Sequence, residues 1–183
     1  MSDPRPTSDG GDPAVRMVIR AQLGDRDALE GLLVWTRPWL WRCLRAMLPE
    51  HDAEDALQEV MLTAARRLVL LEEPRAYRSW VYRIATRHAV RALSKRRSFA
   101  ALDSVATPAA PHAAAPDADE LERLKSEVSR LTPNSLAVMV LHYYEGLSIA
   151  RVSAVLGEPE GTVKSRLNTA LGALRRSLAS GSG

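Results

Sequence analysis

Three groups of side chains in this sequence have types and spacings that could do chemistry. The first is acidic. Asp52, Asp55, Gln58 and Glu59 fall in a stretch, from Glu50 to Glu59, that holds no lysine or arginine. His51, Asp55 and Glu59 step by four residues, so on a helix they would share one side, an arrangement that could serve a divalent metal. Asp52, Asp55 and Glu59 are likewise the residues a metal-dependent nuclease would use. The second histidine of an HExxH-type site is missing, however, and acids are favoured at a helix N-terminus by the macrodipole. A solvated or protein-docking face is the stronger reading, with no metal and no catalytic residue. The second group is basic: Arg83, Arg87, Arg91 and Lys95 recur every four residues, Arg96 and Arg97 extend the run, and no acid stands between Glu73 and Asp103. Such a stripe can track phosphates, because each neutralised phosphate releases counterions. Tyr77 and Trp80 beside it could stack on an unpaired base, although Trp80 also suits a core. The third group is Thr162, Lys164, Ser165, Arg166, Asn168 and Thr169, short polar and basic side chains able to reach base edges in a major groove.

The elements that must position these groups are all helices. Ser148 can cap a helix whose Ile149, Val152, Val155 and Leu156 share one face, Gly157 suits a left-handed C-terminus, and Pro159 suits the first turn of the next helix. Val163, Leu167, Leu171, Leu174 and Leu178 form the inner stripe of that second helix, which leaves the third group outside. This is a helix-turn-helix pattern; a helical hairpin of ordinary structural kind is the alternative. The basic group lies on a helix predicted from about Arg75 to Lys95, with Tyr77, Trp80, Val81, Ile84, Ala85, His88 and Ala92 as its inner stripe. The acidic group opens a helix from Asp52, as its cap, to Leu68. Upstream, Asp12-Pro13 starts one helix and Asp25 caps another, rich in Leu and carrying Trp35, Trp39 and Trp41, which Pro38 should kink. The three tryptophans cannot share one helical face, so one of them is a plausible partner contact.

Composition sets the frame. With 46% hydrophobic and 26% charged residues over 183 positions, the chain is globular, and a single cysteine, Cys43, excludes an internal disulfide and a multi-cysteine zinc site. No apolar run reaches the length of a membrane span and the N-terminus lacks a signal-peptide pattern, so a cytoplasmic protein is expected. Residues 1–11 read as a disordered tail and 98–119, rich in alanine and proline, as a flexible linker. The expected fold is all-α: a first helical domain over 12–97 and a second over 120–179, beginning with a helix near Leu121 to Leu131 and another opened by Thr132-Pro133.

The order of these features resembles the extracytoplasmic-function (ECF) RNA polymerase sigma factors of the sigma-70 family. AQLGDRDALEGLL is similar to that family's region 2.1, DAEDALQEVMLTAARRL to region 2.2, YRSWVYRIATRHAVRALSKRR to regions 2.3 and 2.4, and LTPNSLAVMVLHYYEGLS with VLGEPEGTVKSRL to region 4. The resemblance implies no enzyme and no cofactor. It implies that Asp52, Asp55, Gln58 and Glu59 dock on the β′ clamp helices of core polymerase. It further implies that the loop from about Leu71 to Tyr77 holds a base flipped from the −10 element, beside Tyr77, Arg78, Arg83, Arg87, Arg91, Lys95, Arg96 and Arg97. Thr162, Lys164, Ser165, Arg166, Asn168 and Thr169 would read the −35 element, region 4 would meet the β flap, and an anti-sigma factor is an expected partner. Many members carry asparagine at Arg87, an acid at Arg91 and arginine at His142, and aromatic or basic residues at Asn168 and Thr169, which points to an unusual −35 sequence. The alternative is a helix-turn-helix regulator that does not replace sigma.

Overall fold

A computed structural model describes residues 12–102 and 116–179, with side chains over 12–98 and 123–176. The readings of 1–11 as a tail and of 103–115 as linker, and the places of Leu121 and Leu178, lie outside those described residues. Every regular element among the described residues is helical: α1 (Pro13–Gln22), α2 (Arg26–Arg45), α3 (Glu50–Arg67), α4 (Tyr77–Leu102), α5 (Pro116–Arg130), α6 (Pro133–Met139), α7 (Ile149–Leu156) and α8 (Glu160–Ala179). None of these helices is long and apolar enough to cross a membrane.

Local signals set most helix starts. Asp12 accepts from the Ala14 N–H at 3.0 Å, Asp25 from Ala28 at 3.0 Å and Thr132 from Ser135 at 3.2 Å, each satisfying a donor that a helix start leaves open. The Asp25 carboxyl is held below its ordinary pKa, chiefly by that Ala28 N–H and then by Arg20. α3 departs from expectation: it begins at Glu50 after Pro49, without a side-chain cap, so Asp52 lies within its first turn. Pro38 sits inside α2, which runs on through it. α4 continues past Lys95 to Leu102, and α5 starts already at Pro116, so helix occupies both ends of the stretch expected to be linker.

α1 to α4 pack as a bundle around Leu32, Leu40, Leu44, Val60 and Val81, all fully buried. The tryptophans belong to this core: Trp35 and Trp39 meet edge to face at 5.8 Å, and Trp39 lies 4.9 Å from Tyr82. Burial drives the Cys43 thiol pKa upward, as expected of a fully enclosed filler. α5 to α8 form a second cluster on Val138, Leu141, Val152, Val155 and Val163. A five-residue π-helical segment, Val140–Tyr144, links α6 to the turn before α7, and there His142 Nδ1 donates to the Leu147 carbonyl at 2.7 Å. His142 therefore shapes this turn.

The second cluster rests against the first. α6 and α7 pack along α4, on a side of that helix which the single-stripe reading missed. Tyr82, Thr86 and Ala89 are buried there in addition to Tyr77, Val81 and Ala85.

Candidate nucleic-acid interface

The acidic group on α3 splits in two. Asp52 is turned toward α4, its Oδ2 2.5 Å from Arg96 Nη1, while Asp55, Gln58 and Glu59 are exposed. Asp55 lies 4.0 Å from His51, and Glu59 Oε2 lies 3.1 Å from His88 Nδ1 on α4. No three His, Cys, Asp or Glu side chains among the described residues converge as a metal site. Gln58 instead lines a groove of about 640 Å³ between α2 and α3, whose floor is apolar through Trp41, Leu57 and Met61 and whose rim carries Arg37 and Glu54. Trp41 and Met61 are absent from the expected docking set. The signal for Trp41 was the crowding of tryptophans, one of which had to leave the main core face.

Loop and basic helix follow. Between α3 and α4 the chain makes two short 3-10 turns, Leu68–Leu70 and Pro74–Ala76. Gln22 at the end of α1 braces this loop: its Nε2 donates to the Leu68 carbonyl at 2.9 Å and to that of Leu71 at 2.7 Å. Val69 and Leu70 stand out from it, 68% and 73% exposed. Tyr77 does not: it is 3% exposed, and its hydroxyl is 2.8 Å from that of Thr36. Burial pushes its pKa up to about 12, against a smaller lowering by Thr36. A stacked base cannot reach this ring, which corrects the expectation for Tyr77, whereas Trp80 is only half-buried. Of the basic residues on α4, Arg87, Arg91 and Lys95 are exposed along one side. Arg78 lies over the Trp39 and Tyr82 rings, and Arg83 and Arg97 turn toward the second cluster.

The helix-turn-helix geometry matches the local reading closely. Ser148 Oγ accepts from the Arg151 N–H at 3.3 Å, and Gly157 has φ 71°, the left-handed conformation that reverses the chain. Ser153 Oγ donates to the Glu158 carbonyl at 2.5 Å and ties α7 to the turn. On α8, Val163 and Leu167 are buried, Leu171 and Leu174 half-buried, and Lys164, Ser165, Asn168 and Thr169 exposed. Thr162 is half-buried, and Lys164 stands 3.7 Å from Glu160. Arg166 differs from its neighbours: it is half-buried and pairs with Glu158 at 3.0 Å, so its charge is spent on holding the turn.

Residues 35–99 match the family model for sigma-70 region 2, and residues 128–176 the model for sigma-70 region 4. Among curated relatives, the ECF RNA polymerase sigma factor SigL of Mycobacterium tuberculosis is 33% identical over 76% of this chain and 82% of its own length. The ECF sigma factor SigW of Bacillus subtilis is 25% identical over 89% of this chain and 95% of its own. Among solved structures, CnrH in complex with the cytosolic domain of CnrY aligns with a TM-score of 0.69 at 26% identity, covering 92% of this chain and 99% of that one. The RpoE sigma factor of Bartonella quintana, in complex with the anti-sigma factor NepR, shares the fold at a TM-score of 0.61 and 23% identity, over 82% and 96% of the two chains. With region 2 and region 4 both present in order, and with curated relatives matched over most of their length, the chain belongs to the ECF RNA polymerase sigma factors of the sigma-70 family.

Proposed function

We propose that this chain binds core RNA polymerase, brings it to a small set of promoters and helps to melt the −10 region, acting in the cytoplasm without a catalytic residue of its own. The observation that carries the reading is the pairing of two separate nucleic-acid faces on one chain. One is the exposed stripe of Arg87, Arg91 and Lys95 on α4, next to a braced loop with protruding Val69 and Leu70; the other is the exposed row of Lys164, Ser165, Asn168 and Thr169 on α8. A regulator working through α8 alone has no use for the first. The stripe supplies phosphate contacts, and the loop supplies apolar surface against which an unstacked base can rest, offsetting a flipping cost of a few kcal/mol.

Core polymerase docks in this reading on Asp55, Gln58 and Glu59 and in the adjoining groove at Trp41 and Met61. Asp52, held by Arg96, contributes less. The β flap is met by region 4. An anti-sigma factor is a further partner, a reading supported by the two solved relatives found bound to CnrY and NepR. The test is promoter-dependent transcription with purified core polymerase, comparing wild type with Asp55→Ala/Glu59→Ala. Defined start sites, weakened in the variant together with core binding, are expected. Duplex binding by the wild type, without core association or transcripts, would instead identify a regulator.

A further inference from the structure

Two faces of α4 are covered, and they are covered by different partners. Val81 and Ala85 pack into the first bundle, whereas Tyr82 reaches the second cluster through one polar contact: its Oη donates to Glu145 Oε2 at 2.5 Å. The Glu145 side chain is 2% exposed, and Arg78 Nη2 lies 3.9 Å from the same carboxylate oxygen. A carboxylate taken out of water is costly unless it is paired, so these two partners decide whether the second cluster can sit here at all. The same docking consumes cations. Arg83 Nη2 donates to the Ala154 carbonyl at 2.5 Å, and Arg97 Nη2 donates to the carbonyls of Ser129, at 2.9 Å, and Leu131. Those carbonyls lie at the ends of α7 and α5, where helix carbonyls lack partners within the helix and carry partial negative charge. They offer the two guanidinium groups what phosphate oxygens would.

We infer that the free chain closes on itself, with Glu145 and Tyr82 as the latch, and that closure keeps Arg83 and Arg97 from DNA until polymerase or another partner separates the two clusters. This rests on the reading of α4 as a DNA face. The contacts are mutually exclusive: a guanidinium donating to the end of α7 or α5 is not available to a phosphate. The closure is also one-sided, because Lys164, Ser165, Asn168 and Thr169 on α8 stay exposed. Closure thus blocks the α4 face and spares the α8 face.

The latch is tested on the full chain in the absence of polymerase. Spin labels at Leu62→Cys on α3 and Arg175→Cys on α8, both exposed positions, report the separation of the clusters; Cys43 is enclosed and its raised thiol pKa keeps it unreactive. Wild type is expected to show one narrow distance distribution. Tyr82→Phe, which keeps the ring and the net charge, and Glu145→Gln are each expected to broaden and lengthen it. A hydrogen bond to a charged group contributes enough that either variant shifts the open fraction by about tenfold or more. Binding of a fluorescein-labelled single-stranded oligonucleotide of mixed sequence should tighten in parallel, with circular dichroism confirming unchanged helix content. A wild type as broad as both variants, or variants as narrow as wild type, overturns the latch while leaving the proposed function intact. Opening without any gain in single-strand binding overturns the occlusion, and with it the assignment of α4 as a DNA face.

Discussion

Arg96 on α4 reaches across the bundle to Asp52 in the first turn of α3, Nη1 to Oδ2 at 2.5 Å and 44 residues apart in the chain. The pair joins the acidic helix to the basic one and divides each set of charges into bound and exposed members. Asp52→Ala is accordingly expected to lower core-polymerase affinity less than Asp55→Ala/Glu59→Ala does, and to cost no more than about 1 kcal/mol of stability, since the pair is partly solvated. Titration of labelled variants with core polymerase, beside urea denaturation, measures both.

Tyr77 is enclosed in the core, with its hydroxyl on Thr36, whose own hydroxyl also donates to the Leu32 carbonyl at 2.7 Å. Tyr77→Phe therefore leaves Thr36 satisfied and should cost about 1 kcal/mol or less. Single-strand affinity should stay within about twofold of wild type. A larger loss of DNA binding at unchanged stability would return the ring to the DNA face.

Alkaline pH acts on the same residue. The Tyr77 pKa is raised from 10.0 to about 12, so the fold favours the neutral phenol. That stability is fully present below pH 10 and is lost as pH rises toward 12, at about 1.4 kcal/mol per pH unit for one such group. Tyr82 is raised as well, mainly by burial and then by Glu145, and adds to the loss. Urea midpoints compared at about pH 9 and pH 11 should fall steeply for wild type and less steeply for Tyr77→Phe.

In the helix-turn-helix, Gly157 has φ 71° and open space where a Cβ would stand. Gly157→Ala should cost only the strain of the left-handed conformation, about 1–2 kcal/mol, and lower the melting temperature without abolishing the fold. A cost well above that would mean the turn itself rearranges.

Asn168 is exposed on α8 and can pair with adenine in bidentate fashion, a contact of about 1–3 kcal/mol in base discrimination. Asn168→Ala should relax preference at one −35 position in a randomised-duplex selection. Arg166→Ala should instead reduce stability, because Arg166 is committed to Glu158. Unchanged preference at every position in Asn168→Ala would remove it as a base reader.

Elements and faces carried by local chemistry were legible from the residues alone. Caps at Asp12, Asp25, Thr132 and Ser148, the glycine stop at Gly157 and the inner stripe at Val163 and Leu167 act within a turn or two of chain. They therefore leave their trace in adjacent letters, and with them came the all-α fold, the helix-turn-helix and the exposed row on α8. Contacts between distant residues left no such trace. Gln22 on the Leu68 and Leu71 carbonyls, Asp52 on Arg96 and Tyr82 on Glu145 each join groups 44 or more residues apart, and each is a residue type equally at home in water. Periodicity gave α4 one inner stripe because a stripe is what a single packing partner requires. The second buried face, at Tyr82, Thr86 and Ala89, exists only because α6 and α7 come to lie against it. Charge count alone made every arginine on that helix equivalent, and tertiary packing decided which of them faces solvent and which faces the end of another helix.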